Sequence, residues 1–355
     1  MSPEHGRQVT SKQDAGQQSG VRIAFLDLCR IRVRMSAVSL QLKSANAVRA
    51  GTDQMPGWSA EPALDLVQLT GLMQHTSGNP EIIIGLIDGP VALNHPDLAS
   101  GNIREISSRI GGRCAHASSF ACRHGTFVAG ILSAKRNSEA PAICPDCTLR
   151  VRPIFSENAP ANELIPSATP EELAAAIIES IDGGARLLNV SAALAQIPSA
   201  KGEQALVQAL DYAAKRGVIV VTAAGNQGTV GSTVITRHRW VIAVIACDGR
   251  GRPLHESNLG NSIGRRGLSA PGEGITSLGT NGKAILAGGT SVAAPFVTGA
   301  IALVWSQFPK ANAGDMQMAV TKAHTPRRPT VVPPLLNGLS IHNVMAASYS
   351  KRGMR

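Results

Sequence analysis

Four side chains in this sequence have the types and the placement to carry acyl-transfer chemistry: Asp88, His124, Asn226 and Ser291. A serine hydroxyl is a weak nucleophile until an imidazole takes its proton. A carboxylate then holds that imidazole in the right tautomer and stabilises its charged form. The oxyanion that follows needs fixed donors, which the Asn226 side-chain amide and the Ser291 backbone N–H can supply. Each residue alone has an ordinary reading: Asp88 before Gly89-Pro90 and Asn226 before Gln227-Gly228 suit turns, His124 suits a cap or a core site, and Ser291 suits an N-cap. Their common position at the ends of elements argues otherwise.

Those elements follow from apolar patterning. "EIIIGLID" (81–88) is a strand buried on both faces, closed by Asp88. "HGTFVAGILSA" (124–134) reads as a helix opening on His124 after a Cys-Arg turn, and "VIVVTAAGN" (218–226) as a strand closed by Asn226. In "ILAGGTSVAAPFVTGAIALVW" (285–305), residues 292–304 can be buried on every side, so a helix is expected through the middle of a domain. Ser291 then lies at its positive end, with Pro295 expected in the first turn, where N–H groups have no acceptor. "LRVRPIF", "RLLNVSAA" and "WVIAVIAC" add strands, and "TPEELAAAIIESIDGGA" (169–185) and "GEQALVQALDYAAKRG" add helices. "EPALDLVQLTGLMQHTSG" (61–78) reads as one helix ending near Gly78, and "LLNGLSIHNVMAA" (335–347) as a turn and a helix. The alternation implies an α/β fold, a doubly wound parallel sheet with helices on both faces, where functional groups gather at the carboxyl ends of strands.

The composition fits such a core: 43% hydrophobic, 3% aromatic and 36 glycines in 355 residues. A net charge of +10 invites a nucleic-acid reading, but residues 1–50 hold eight basic against three acidic residues and 307–355 seven against one. The body between is neutral, and no basic motif interleaved with aromatics is present, so nucleic acid is not an expected partner. No apolar run spans a bilayer and the first twenty residues lack the apolar core of a secretory signal, which favours a cytoplasmic protein, with secretion as the alternative. Residues 1–60 read as an N-terminal extension with a polar, disordered start and one or two strands in "VRIAFLDLCRIRVRM"; 349–355 is a basic tail.

Six cysteines leave their state open. Cys114, Cys122, Cys144 and Cys147 fall within 34 residues, and 144–147 is a CxxC. Reduced thiols, one or two disulfides, and a four-thiolate zinc site all remain readings, the last weakened by having only one CxxC arm.

The chain order Asp, His, Ser resembles that of the subtilisin-like serine proteases, the subtilases. "IGLIDGPVALNHPDL" is similar to their aspartate motif, "HGTFVAGIL" to the histidine motif, "GGTSVAAPFVTGAIALV" to the serine motif and "VTAAGNQGTVGS" to the asparagine segment. "NVSAAL", "SNLGNSIGRRGLSAPGEGI" and "GLSIHNVMAA" match further segments, so the likeness covers about 62–348 and implies a catalytic domain over 61–348.

The resemblance implies Asp88 as orienting acid, His124 as general base and acid, Ser291 as nucleophile and Asn226 as oxyanion donor in a serine endopeptidase. A peptide substrate would pair with Ser191, Ala192 and Ala193 by strand addition, and Ala223, Ala224 and Gly225 would wall the pocket before the cut. No cofactor or metal is implied; calcium is common in the family, but no ligand set for it is identified. Two departures matter: Gly89-Pro90 follows the aspartate, and Phe127 stands where a second histidine is usual. The "DGPV…HPDL" and "CPDCTLRVRPIF" segments resemble subtilases that mature ribosomally made peptides, such as cyanobactin-precursor proteases. Residues 1–60 do not resemble the family's folded pro-domain, so an enzyme without zymogen control is expected. The competing readings are a general degradative or secreted subtilase, a catalytically inactive peptide-binding relative, and a zinc-stabilised binding module.

Overall fold

A computed structural model of the chain describes residues 23–24, 61–98, 102–106, 112–157, 167–194, 198–324 and 330–353. In chain order the elements begin with β1 (Ile23–Ala24), α1 (Glu61–Leu66), α2 (Thr70–His75), β2 (Ile83–Asp88), β3 (Ile103–Glu105), α3 (Phe120–Ser133) and β4 (Thr148–Pro153). They continue with β5 (Ser167–Ala168), α4 (Pro170–Asp182), β6 (Leu187–Val190), β7 (Ala193–Leu194), α5 (Ala200–Arg216), β8 (Ile219–Ala223) and α6 (Val234–Arg237). The last third holds β9 (Val241–Cys247), α7 (Asn261–Arg266), β10 (Leu268–Pro271), β11 (Ile275–Leu278), β12 (Ala284–Ala287), α8 (Thr290–Gln307), α9 (Ala313–Ala323) and α10 (Gly338–Gly353).

Seven strands form the central sheet in the order β10-β9-β8-β6-β2-β4-β3, and every neighbouring pair is parallel. Successive strand residues face opposite sides. Ile84 and Leu86 of β2, Leu187 of β6 and Ile219 and Val221 of β8 join the core layer that holds α3 and α8. Ile87, Leu188, Val190 and Val220 join the opposite layer, beneath α4 and α5. The two-sided burial is why these strands read as continuous apolar runs, and the doubly wound expectation holds.

Local signals define the helix ends. Thr169 and Glu172 form a capping box at α4 with Pro170 as its first residue, and Ser199 caps α5, which ends at left-handed Gly217. Every residue of α8 from Thr290 to Trp305 is buried, so the helix runs through the interior as expected. Gly299 is needed there, because a Cβ would stand 2.6 Å from Ile143 Cγ2.

Four boundaries differ from expectation. The helix over 61–78 is two helices: Gln68 takes a positive φ of 55°, and the Val67 carbonyl accepts from Gly338 N at 2.9 Å instead of continuing the ladder. His124 does not open its helix, because Ser119 caps α3 by accepting from Cys122 N, which puts the imidazole one turn inside. Strand β8 stops at Ala223, since Gly225 turns the chain with a φ of 103°, and Asn226 lies in the loop beyond. Pro295 is the sixth residue of α8 and lies in its second turn, not its first. Apart from Ile23–Ala24, residues 1–60 lie outside the described residues, as do the last two of 349–355. Among the described residues no helix is long and apolar enough to cross a membrane.

Candidate active site

Asp88 ends β2, an interior strand whose carboxyl end meets α3. Gly89 and Gly125 let the two backbones close up: a Cβ on Gly89 would stand 2.0 Å from the Ala121 carbonyl oxygen, and one on Gly125 would stand 2.4 Å from that of Gly89. The close approach brings His124 Nδ1 to 2.7 Å from Asp88 Oδ1. The other ring nitrogen, Nε2, lies 3.0 Å from Ser291 Oγ. Both His124 and Asp88 are buried, so the aspartate fixes the ring tautomer away from competing water. The backbone N–H of Gly89 also donates to Asp88 Oδ1. The unusual Gly89 after the aspartate therefore has a packing reason. Phe127, in place of the second histidine, is buried in the core, and its carbonyl accepts from Ser277 Oγ at 2.8 Å.

Ser291 is the second residue of α8, after Gly289 at a φ of 109°. Its backbone N–H is among those that have no intrahelical acceptor. Asn226 is held beside it: its Oδ1 accepts from Thr290 N at 2.9 Å, while Gly225 N donates to Thr290 Oγ1 at 3.1 Å. That leaves the amide end of Asn226 facing the same turn, with its Nδ2 3.1 Å from where a Cβ of Gly289 would lie.

The position of Pro295 has a local consequence. A proline there gives Ser291's carbonyl no i+4 partner. Ser191 Oγ takes up that carbonyl at 3.5 Å, is itself held by Asn189 Nδ2 at 2.7 Å, and Asn189 Oδ1 accepts from Thr298 Oγ1 at 2.8 Å. Thr298, Asn189, Ser191 and the backbone of Ser291 thus form one buried chain of hydrogen bonds from α8 through β6 and back to the serine turn. Sequence reading assigned no role to Asn189 or Thr298, although a lone asparagine inside "LLNV" was a visible signal.

The other expected residues lie around this turn. Ser191 and Ala192 lead into β7, which begins at Ala193. Ala223 ends β8, and Gly225 brings its backbone beside Ala193, where a Cβ would come within 3.3 Å of the Ala193 methyl. Ala224 is different: its methyl packs with Ala243, Ile245 and Ile263, so only its backbone faces the loop. Asn258, also unassigned from sequence, secures that loop. It donates to Ala224 O at 3.2 Å and accepts from Gln227 N and Thr229 N at 3.0 and 3.2 Å.

The clustered cysteines separate into two pairs. Cys114 and Cys122 form a disulfide that ties the preceding loop to the first turn of α3, two residues before His124. Glu157 accepts from the N–H of Ala115 in the same loop at 2.8 Å. Cys144 and Cys147 are free and buried. Donation of its hydrogen bond to Cys147, and then burial, push the Cys144 thiol well above the usual range, while accepting that bond draws Cys147 down. The zinc reading is corrected: with Cys114 and Cys122 bonded to each other, the four sulfurs do not form one ligand set. Cys29 lies outside the described residues.

Residues 79–336 match the subtilase family, Peptidase_S8. A thermostable alkaline protease of Halalkalibacterium halodurans is 29% identical over 244 residues, 68% of this chain and 62% of that protein. Subtilisin DY of Bacillus licheniformis is 28% identical over 247 residues, 68% of this chain and 83% of that one. Among solved structures, a mutant of the protease domain of PatA superposes with a TM-score of 0.68 at 27% identity, covering 76% of this chain and 97% of that domain. The prenylagaramide maturation protease PagA gives 0.67 at 27%, covering 78% and 98%. The chain belongs to the subtilase family of serine proteases.

Proposed function

We propose that this subtilase is an endopeptidase that cleaves a ribosomally made precursor peptide, with Ser291 as nucleophile, His124 as general base and then acid, and Asp88 as the carboxylate that orients it. The observation that carries the chemistry is the buried relay with 2.7 Å from Asp88 to His124 and 3.0 Å from His124 to Ser291. Ser291 Oγ attacks the scissile carbonyl as His124 Nε2 takes its proton. The oxyanion is met by Ser291 N–H and the Asn226 amide, the amine leaves with the proton from His124, and water repeats the sequence on the ester. Support for a precursor peptide comes from similarity to PatA and PagA, the latter a prenylagaramide maturation protease. An extended peptide would pair with Ala193 and pass Gly225.

The test is fluorophosphonate labelling read by intact mass. One adduct is expected on the wild type, none on Ser291→Ala, and a much slower one on His124→Ala. No adduct on folded wild type overturns the assignment. With labelling established, candidate precursors and unfolded general substrates are compared by kcat/KM. Equal turnover of both would favour a degradative enzyme.

A further inference from the structure

The disulfide beside the relay has a third polar neighbour. Cys114 lies in the loop before α3 and Cys122 in its first turn, with Cα atoms 5.4 Å apart. Glu157, four residues after β4 ends, reaches the same place: its Oε2 accepts from Ala115 N at 2.8 Å and its Oε1 from His116 N at 3.2 Å. The two sulfurs and a Glu157 carboxylate oxygen all lie within 4.8 Å of one another. Three ligand-type atoms from three separate stretches of chain thus converge on one point.

Joined to each other, the sulfurs do not bind a metal. Reduction by a dithiol changes that: two electrons and two protons pass to the pair, the S–S bond breaks, and the reductant closes as its own disulfide. Two thiols and a carboxylate then face one another. In a tetrahedral zinc site, Zn–S bonds of about 2.3 Å and a Zn–O bond of about 2.1 Å set the ligand atoms roughly 3.6–3.8 Å apart. The carboxylate therefore needs to close by no more than about an ångström, while the freed sulfurs part by side-chain rotation. Thiolates, being soft, select Zn²⁺ over Mg²⁺ or Ca²⁺. The surroundings suit thiolates as well. Cys122 lies at the positive end of a 14-residue helix, and its Sγ is 4.0 Å from Thr126 Oγ1, a hydroxyl able to donate to it. The two loop N–H groups fix the carboxylate, as the outer partners of a ligating carboxylate do. Residues 115–118 are exposed, which gives the cation a way in and a water a place as fourth ligand.

We propose that reduction of Cys114–Cys122 opens a Zn²⁺ site made by Cys114, Cys122 and Glu157, in which the metal replaces the disulfide as the tie between the loop and α3. Binding releases both thiol protons and leaves one zinc held by two thiolates and one carboxylate. The set differs from the four-thiolate reading corrected above: it draws on Cys114 and Cys122 alone, and only once their bond is broken. The first turn of the helix that carries His124 is then anchored under oxidising conditions by a covalent bond and under reducing conditions by coordination. A ligand that binds only the folded state stabilises it, so zinc restores in the reduced chain what reduction takes away.

The test uses the untagged full chain, oxidised or reduced with dithiothreitol and desalted without air, then dialysed against micromolar Zn²⁺ and assayed for bound metal. Cys114→Ser/Cys122→Ser and Glu157→Gln are treated alike, and a cooperative melt shows each to be folded. Reduced wild type is expected to hold one zinc per chain and to melt at least about 2 °C higher with zinc than without. The oxidised protein and the double serine variant should hold none, which separates this site from the free pair Cys144 and Cys147. Glu157→Gln keeps an oxygen for the two loop N–H groups but loses the charge, so its affinity should fall at least about tenfold. Co²⁺ in place of zinc should give the thiolate charge-transfer band and the strong visible absorption of a tetrahedral site. No zinc on folded, reduced wild type overturns the proposal. So does zinc retained by the reduced double serine variant, which would place it on other thiols, or an unchanged affinity in Glu157→Gln.

Discussion

The reacting groups and the groove are built from different kinds of structure. Asp88, His124 and Ser291 are set in or beside β2, α3 and α8, long elements buried in the core. In the proposed function a peptide pairs with β7, a two-residue strand that forms a small separate sheet with β1 and β5. A buried relay must keep its atoms within a few tenths of an ångström, because proton transfer fails when the imidazole turns. A groove must admit successive peptides, and short strands outside the central sheet allow that. The chemistry is therefore expected to respond sharply to single atoms at the relay and gradually to changes at the walls.

The sharpest break in that contrast is Asn226→Ala. Loss of the corresponding oxyanion-hole asparagine in subtilisin costs about 10²–10³ in kcat, a range carried over here from that enzyme. We expect a loss of that size in kcat with KM little changed, measured on any cleaved peptide. A rise in KM alone, with kcat intact, would remove Asn226 from the oxyanion site and leave its side chain a structural role that includes the bond its Oδ1 accepts from Thr290 N.

That asparagine was readable from sequence, and so was most of the relay, because each residue sits in a continuous run whose pattern fixes a local element. The helix from Thr290 was legible as a stretch apolar on every face, and the parallel strands as apolar runs ended by turn residues. What was not legible depends on contacts distant in sequence. Nothing in "VRIAF" tells which strands Ile23–Ala24 will pair with, since the partners are Ser167 and Ala193 and their neighbours, more than 140 residues on. The four clustered cysteines allow three pairings if all are joined, and local spacing selects none of them. The role of Asn189 was hidden for the same reason: its partner Thr298 follows by 109 residues.

The chain from Thr298 to Ser191 sharpens the comparison at intermediate size. Thr298→Val keeps the shape but removes the hydroxyl that donates to Asn189 Oδ1. The unpaired buried carbonyl then costs about 1–3 kcal/mol of stability. If the network also positions the serine turn, kcat falls several-fold at constant KM, and Thr298→Ser restores it. A variant that loses stability but keeps kcat would show the chain to be structural only. Thr298 would then be a buried polar residue satisfied for the sake of the core.

The smallest effect is expected at the disulfide that borders the relay. Cys114–Cys122 closes a loop eight residues long, and the loop-entropy estimate for such a cross-link is about 2–3 kcal/mol. Its removal acts mainly on the unfolded chain, so Cys114→Ser/Cys122→Ser should lower the melting temperature while labelling at Ser291 slows by less than about threefold. The reason is that α3 is positioned independently, by the Ser119 cap and by the Gly89–Gly125 contact with β2. A labelling rate reduced tenfold or more in the folded double serine variant would mean that the cross-link, and not the packing of α3 on β2, holds His124 in register with Asp88.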